Sequence, residues 1–327
     1  MLANPEVAKF IERYGIIAVV AVMMLALTIL KPDVFLGVTN LTNIVKQNAS
    51  AALLALGMFV VILTAGIDLS VGSVMALAMV SLAVANRAGY SWETILLIGP
   101  LVGIAAGWVN GAGLTWLRLP HPFIMTLGTL NIARGLTNLV SGGAPVSGLK
   151  PEVRYLGQKT YDFGIFAPPA GIPASFFLVA ICAIGLWFFL NRTSIGRHIY
   201  AIGGNPQAAR VSGIDVNRVL VIVYVICGFF AGLAGLLLAG RTDSGFPNAG
   251  IGAELDAIAA VIIGGASFFG GRGTVLGVLA GVLIIGLLRN GLNLLNVSVF
   301  WQQILIGVVI VAAVYVDVLR RRAAVRT

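Results

Sequence analysis

Charge is missing from nine long stretches of this 327-residue chain, and that spacing decides what it can fold into. The charge-free windows cover residues 14–30, 47–67, 69–86, 94–117, 163–191, 219–240, 257–271, 273–288 and 290–316. A bilayer core about 30 Å thick takes around 20 apolar residues of helix. A tenth window, 123–140, is broken only by Arg134, which lies near enough to one end to snorkel or to face a polar interior. The pattern predicts an all-α polytopic membrane protein with about ten transmembrane helices, a single domain over residues 1–327. Composition agrees: 59% of residues are hydrophobic and 10% charged, against about 25% charged in soluble domains. A soluble enzyme, a disordered chain and a collagen-like chain are all excluded, the last because the 41 glycines keep no three-residue period.

Metal and thiol chemistry find little support. Cys182 and Cys227 stand alone inside apolar runs and read as small buried hydrophobes. Neither His121 nor His198 belongs to a ligand set, so zinc has no site. His121, in LPHP, is expected to shape a turn, and His198 to be one more polar residue of a basic loop.

The first window lacks a small-x-small cleavage site and, at 17 residues, exceeds a signal-peptide core of about 7–15, so it reads as a retained helix. Residues 33–46 are amphipathic through Val34, Val38, Leu41 and Ile44, which predicts a segment lying on the interface. Orientation follows from arginine. Residues 192–218 hold Arg192, Arg197, Arg210 and Arg218, and the tail 319–327 holds Arg320, Arg321, Arg322 and Arg326. An even number of spans separates these segments, so the positive-inside rule puts both in the cytoplasm, with the N-terminus beside them if the count is ten. Lys150, Arg154 and Lys159 then fall outside, a mild departure from the rule. The net charge of +9 is a topology signal; no aromatic-interleaved basic stripe points to nucleic acid.

Glycines suggest an internal repeat. Gly99, Gly103 and Gly107 recur 174 residues later as Gly273, Gly277 and Gly281, and AGIDLS at 65–70 recurs as AGRTDS at 239–244. Such spacing suits close helix packing. With five spans per half (14–140 and 173–318), the halves would have opposite topology, as in many transporters. The run from Gly264 through Gly273 reads as flexible or closely packed turns; no GxxxxGK[ST] exists to hold ATP.

Charged and polar residues inside the windows mark the candidate pathway or gate. Asp68 is either a proton or cation site or, with Ser70, an N-cap for the next helix. Glu254 and Asp256 are either helix-start acids or an outer gate. Asn110, Thr126, Thr129 and Asn131 either line a path or bond between helices. In the basic loop, 191–218, Gly203 and Gly204 break the preceding structure. Asn205 fits an N-cap, Pro206 a first helical residue and Gly213 a stop. A helix of about two turns is predicted there, with Ala208, Ala209 and Val211 as an apolar knob ringed by Gln207 and Arg210; Ser212 closes it.

Four strings, TAGIDLSVGSVMAL, LPHPFIMTLGTLNIARGL, GGNPQAARVSGIDVNRV and ELDAIAAVIIGGASFFGGRGTVLGVLAG, come in an order and spacing that resembles the ribose-type permeases of ATP-binding cassette (ABC) sugar importers, over residues 44–316. The resemblance implies a multi-pass subunit of the bacterial inner membrane that moves a monosaccharide by alternating access. It implies a homodimer, a periplasmic sugar-binding protein and an ATPase on a separate chain that binds ATP and magnesium, with no cofactor on this one. It further implies that residues 205–213 form the coupling loop touching the ATPase, that both termini are cytoplasmic and that the halves are inverted. The rival reading is a proton- or ion-coupled carrier using Asp68; an enzyme is not expected.

Overall fold

The computed structural model describes residues 5–164 and 171–325. Among these are thirteen helices: α1 (Pro5–Leu30), α2 (Val38–Leu63), α3 (Val71–Arg87), α4 (Trp92–Trp116), α5 (Pro122–Ser141), α6 (Pro151–Gln158), α7 (Ala174–Arg192), α8 (Ser194–Gly204), α9 (Pro206–Val211), α10 (Val216–Thr242), α11 (Ala253–Ile263), α12 (Val275–Leu294) and α13 (Val299–Val325). Four two-residue strands make two antiparallel pairs. β1 (Val146–Ser147) meets β4 (Ser244–Gly245) with Val146 opposite Gly245, and β2 (Thr160–Tyr161) meets β3 (Ile172–Pro173) with Thr160 opposite Pro173.

Five helices, α2, α4, α7, α10 and α12, are long and apolar enough to cross a membrane, and shorter apolar stretches lie in α1, α3 and α13. Each of the ten sequence windows falls on its own helix, with three changes at the edges. The amphipathic segment 33–46 is no separate surface helix: from Val38 onward it is the first part of α2, because Ile44 packs with Leu27, Phe35 and Leu287 in a small apolar cluster. The window 257–271 stops being helical at Ile263, where Gly264 and left-handed Gly265 turn the chain. The basic tail continues α13 as far as Val325; Arg326 lies outside the described residues.

Outward faces are apolar where a soluble protein would be polar. Leu25, Ile29, Ile181, Ile184, Phe188, Val308 and Val311 are all more than half exposed. At the centre, α2 is buried on every side from Ala52 to Leu63 apart from small edges. It packs against α10, α11, α12 and α7, while α10 packs against α4, α2, α3 and α6.

Glycine sets the closest approach. On α4, Gly99, Gly103 and Gly107 face Gly232, Gly228 and Tyr224 of α10, so the two helices run antiparallel. A methyl at Gly103 or Gly228 would collide with the carbonyl of the other. The second triplet works differently: Gly277 and Gly281 of α12 admit Gly264, just past α11, and Ala260 of α11, and Gly273 lies in the preceding turn against Phe59.

Two helices start inside the bundle. After α2 the chain turns through left-handed Ala65, and Asp68 comes level with Cys227 of α10 before α3 begins. After α10, Gly245 lies on Met79 and Ala83, and Gly250 on Gly72 and Met75, so residues 245–250 run back along α3 to its first turn. There α11 starts, tip to tip with α3. Its 11 residues reach about 16 Å at 1.5 Å per residue, roughly half a bilayer core.

Candidate coupling and translocation site

The basic loop folds as two helices where the sequence predicted one. Thr193 caps α8, its hydroxyl accepting from Gly196 N. Asn205 caps α9 as expected, its Oδ1 accepting from the N–H of Gln207 and of Ala208 at 3.0 Å each. Pro206 stands at the first turn, Ser212 at the C-terminal cap, and Gly213 takes a φ of 84°. Gly203 and Gly204 are the last residues of α8, which ends there as expected, immediately before the Asn205 cap. The expected knob is split: Val211 is 90% exposed and Ala208 and Arg210 are exposed, but Ala209 is buried in its own chain. Gly203 rests on the carbonyl of Leu63 with no room for a side chain, and Gly271 N donates to the same oxygen at 2.9 Å. The loop thus sits directly on the end of α2 and on the glycine turn between α11 and α12.

Deeper in, Asp68 and Ser70 are buried together. Asp68 Oδ1 accepts from Ser70 N at 2.8 Å and from Ser70 Oγ at 2.6 Å. Asn110 of α4 donates through Nδ2 to Asp68 Oδ2 at 3.2 Å and to Ser70 Oγ at 2.9 Å. Ser70 does occupy the N-cap position of α3, yet its side chain makes no cap bond: its hydroxyl donates to Asp68 and its oxygen accepts from Asn110. Asp68 caps nothing; it pins the α2–α3 turn to α4, with Cys227 and Tyr224 of α10 alongside. Asn110 Oδ1 and Tyr224 Oη are buried with no hydrogen-bond partner.

The acids of α11 separate. Glu254 stands in the first turn close to Gly72 of α3, where a methyl would come within 2.6 Å of its Oε2. Arg134 of α5 faces it electrostatically and donates through Nη1 to the carbonyls of Pro247, at 2.5 Å, and Ala249, at 2.8 Å. Asp256 pairs with Arg289 of α12 at 2.7 Å. Thr126 is buried and bonds within its own helix; Asn131 is exposed and donates to Leu127 O. The six candidate pathway residues therefore form no single cluster. Asp68, Ser70 and Glu254 gather around the start of α3, whereas Asp256, Thr126 and Asn131 lie apart.

Sequence reasoning passed over Tyr224 and Arg289 as candidates and took Cys227 for a bland core residue. Asn110 was the readable signal, a lone amide in a 24-residue charge-free window. The three basic residues of the α6 loop are partly engaged: Arg154 pairs with Asp243 at 3.4 Å, and Lys150 Nζ donates to Tyr90 O. Among the described residues no cluster of His, Cys, Asp or Glu could hold a metal.

The family described as branched-chain amino acid transport system, permease component, matches residues 40–314. This chain belongs to that permease family. Similar members are the D-allose transport system permease protein AlsC of Escherichia coli K12, 41% identical over 95% of this chain and 93% of its own, and the ribose import permease protein RbsC of Bacillus subtilis 168, 42% identical over 93% and 91%. The galactose/methyl galactoside import permease protein MglC of E. coli K12 is 37% identical over 94% of each chain. No solved structure matches the chain. The permease is a membrane transport subunit and not an enzyme.

Proposed function

We propose that this permease is the membrane-spanning subunit of an ABC importer that carries a monosaccharide into the cytoplasm, working with a separate ATPase and a periplasmic sugar-binding protein. The observation that carries the reading is the likeness, along nearly the whole chain, to permeases named for allose, ribose and galactose. Its working form is a homodimer in the inner membrane. ATP and magnesium belong to the ATPase.

Ten membrane segments in two inverted halves fit the packing. Exchanging α2 with α10, α3 with α11, α4 with α12 and α5 with α13 turns most major contacts into other observed ones: α10 on α4 becomes α2 on α12, and α3 on α5 becomes α11 on α13. The tip-to-tip start of α3 and α11 suits the same exchange, since two helices that start inside the bundle and point opposite ways are what inversion produces. The loop 191–218 and both termini are then cytoplasmic.

In mechanism, each partner biases a two-state permease by favouring one state. The ATPase grips α9 through exposed Ala208, Arg210 and Val211. Displacement of α8 and α9 acts on the Leu63 carbonyl and on Gly271, and so on α2, α11 and α12 together. Asp68 and Asn110 carry the motion of the α2–α3 turn into α4, near the tips of α3 and α11, where Glu254 faces Arg134. Asp68 serves as a pin in this scheme, its oxygens engaged by Ser70 and Asn110. Reconstitution with the ATPase and binding protein, followed by uptake of a panel of labelled monosaccharides, tests the reading. ATP-dependent accumulation of at least one sugar is expected; uptake driven by a proton gradient without ATP would refute it.

A further inference from the structure

A cavity of about 650 Å³ opens between the coupling loop and the ends of α4 and α5, well within the range of about 300–1,000 Å³ typical of small-molecule sites. Arg118, just past α4, and Arg210 of α9 both line it, and neither forms an ion pair or hydrogen bond among the described residues. No lining residue is acidic. Asp215 lies close by but caps α10, its Oδ1 accepting from Arg218 N at 3.0 Å, and Asp68 lies behind Tyr224. Two long helices, α5 and α10, also begin at the cavity through Pro122 and Val216, and their positive ends favour an anion.

Much of the remaining lining is apolar, from Leu114, Leu119, Ile202, Val216 and Leu220, with polar groups at Thr64, Thr115, His121, Asn217 and Tyr224. Thr64 and Thr115 donate to backbone carbonyls of their own helices at 2.8 and 2.9 Å, so their oxygens offer only lone pairs to a ligand. Tyr224 lines the floor, and its hydroxyl, 1% exposed as a residue and next to Gly66, has no partner in the chain. Two arginines for an anionic group, with acceptors and a phenol for hydroxyl groups, describe an ester of phosphate on a polyol. A lone carboxylate would leave the neutral half unused.

We propose that this cavity binds a phosphorylated monosaccharide, a phosphomonoester held by Arg118 and Arg210 with its hydroxyls toward Thr64, Thr115 and Tyr224. The proposal rests on the importer reading for the side it faces, the cytoplasm. A neutral sugar arriving there is trapped by phosphoryl transfer, so the ligand is the product of the class of reaction that consumes the cargo. Bound ester ties α9, through Arg210, to the end of α4, through Arg118, and so holds the coupling loop in one state. By reciprocity it lowers the permease's response to the ATPase.

Purified permease is titrated with ribose 5-phosphate. Saturable binding is expected, weakened about tenfold or more by Arg118→Gln and at least threefold by the near-isosteric Tyr224→Phe, and not displaced by free ribose. Equal binding to wild type and Arg118→Gln overturns the site. Inorganic phosphate competing as well as the ester overturns the sugar half, and tighter displacement by dihexanoyl phosphatidylglycerol assigns the cavity to a lipid headgroup instead. No binding of the ester, together with loss of ATPase co-purification in Arg118→Gln, assigns it to an acidic partner side chain. In proteoliposomes carrying the whole importer, trapped ribose 5-phosphate should cut uptake severalfold in wild type and less in Arg118→Gln, each relative to its own unloaded rate. Normal uptake unaffected by the trapped ester overturns the proposal. Absent uptake in unloaded vesicles counts against the importer reading, and the titration still decides the site.

Discussion

Gly103 of α4 and Gly228 of α10 lie with each backbone pressed on the other, so that neither position admits a methyl group. Lipid tails are as apolar as side chains, so close dispersion contact replaces the hydrophobic drive that would join these helices in water. Gly103→Ala and Gly228→Ala should each destabilise the purified permease by about 1–3 kcal/mol through overpacking. Gly128→Ala on α5, which faces open space, should change little. Thermal unfolding in detergent separates them, and equal midpoints for all three would contradict the packing argument.

Asn110→Ala leaves buried Asp68 with one donor side chain fewer, and stability should fall by about 1–3 kcal/mol. Asp68→Asn should keep ATP-driven uptake with an unchanged response to an imposed proton gradient, as befits a pin. A double-mutant cycle of Asn110→Ala and Asp68→Ala should return a coupling of about 0.5–3 kcal/mol. Additive effects would mean that the contact does not hold the turn.

Arg134 fastens the returning segment by its bonds to the Pro247 and Ala249 carbonyls. Arg134→Gln removes the charge facing Glu254 and shortens the reach. Faster backbone hydrogen exchange is expected over residues 245–252, with α6 unaffected. Unchanged exchange there would show that the strand contacts of Val146 with Gly245 suffice.

Ala208 and Ala209 are neighbours with opposite environments. Ala208→Glu, exposed, should leave folding intact and lower sugar uptake per ATP hydrolysed at least tenfold. Ala209→Glu, buried, should lower yield and melting temperature first. Normal ATP-driven uptake by Ala208→Glu would remove α9 from the coupling path.

Much of this fold could be read from where charge is missing, because excluding charge from lipid is a local rule that each window obeys alone. The Asn205 cap was equally legible, since a cap is made by residues two and three places apart. What escaped depends on contacts far along the chain. Ser70 looked like a cap, but Asn110, 40 residues on, and Asp68 compete for its hydroxyl. Ala209 looked like part of a docking knob, and its burial comes from neighbours no periodicity names. The length of α11 was hidden because apolar residues continue past Ile263 while glycine geometry ends the helix. The two matched glycine triplets were real packing residues, yet they met different partners.

The tip-to-tip meeting of α3 and α11 has a mechanical side. A continuous helix resists shear because sliding one half past the other breaks its ladder of hydrogen bonds. At this seam no ladder crosses, and Gly72 and Gly250 present only backbone to one another. The bundle therefore carries a joint already cut at its interior, where two rigid bodies can slide while every helical hydrogen bond on either side stays whole.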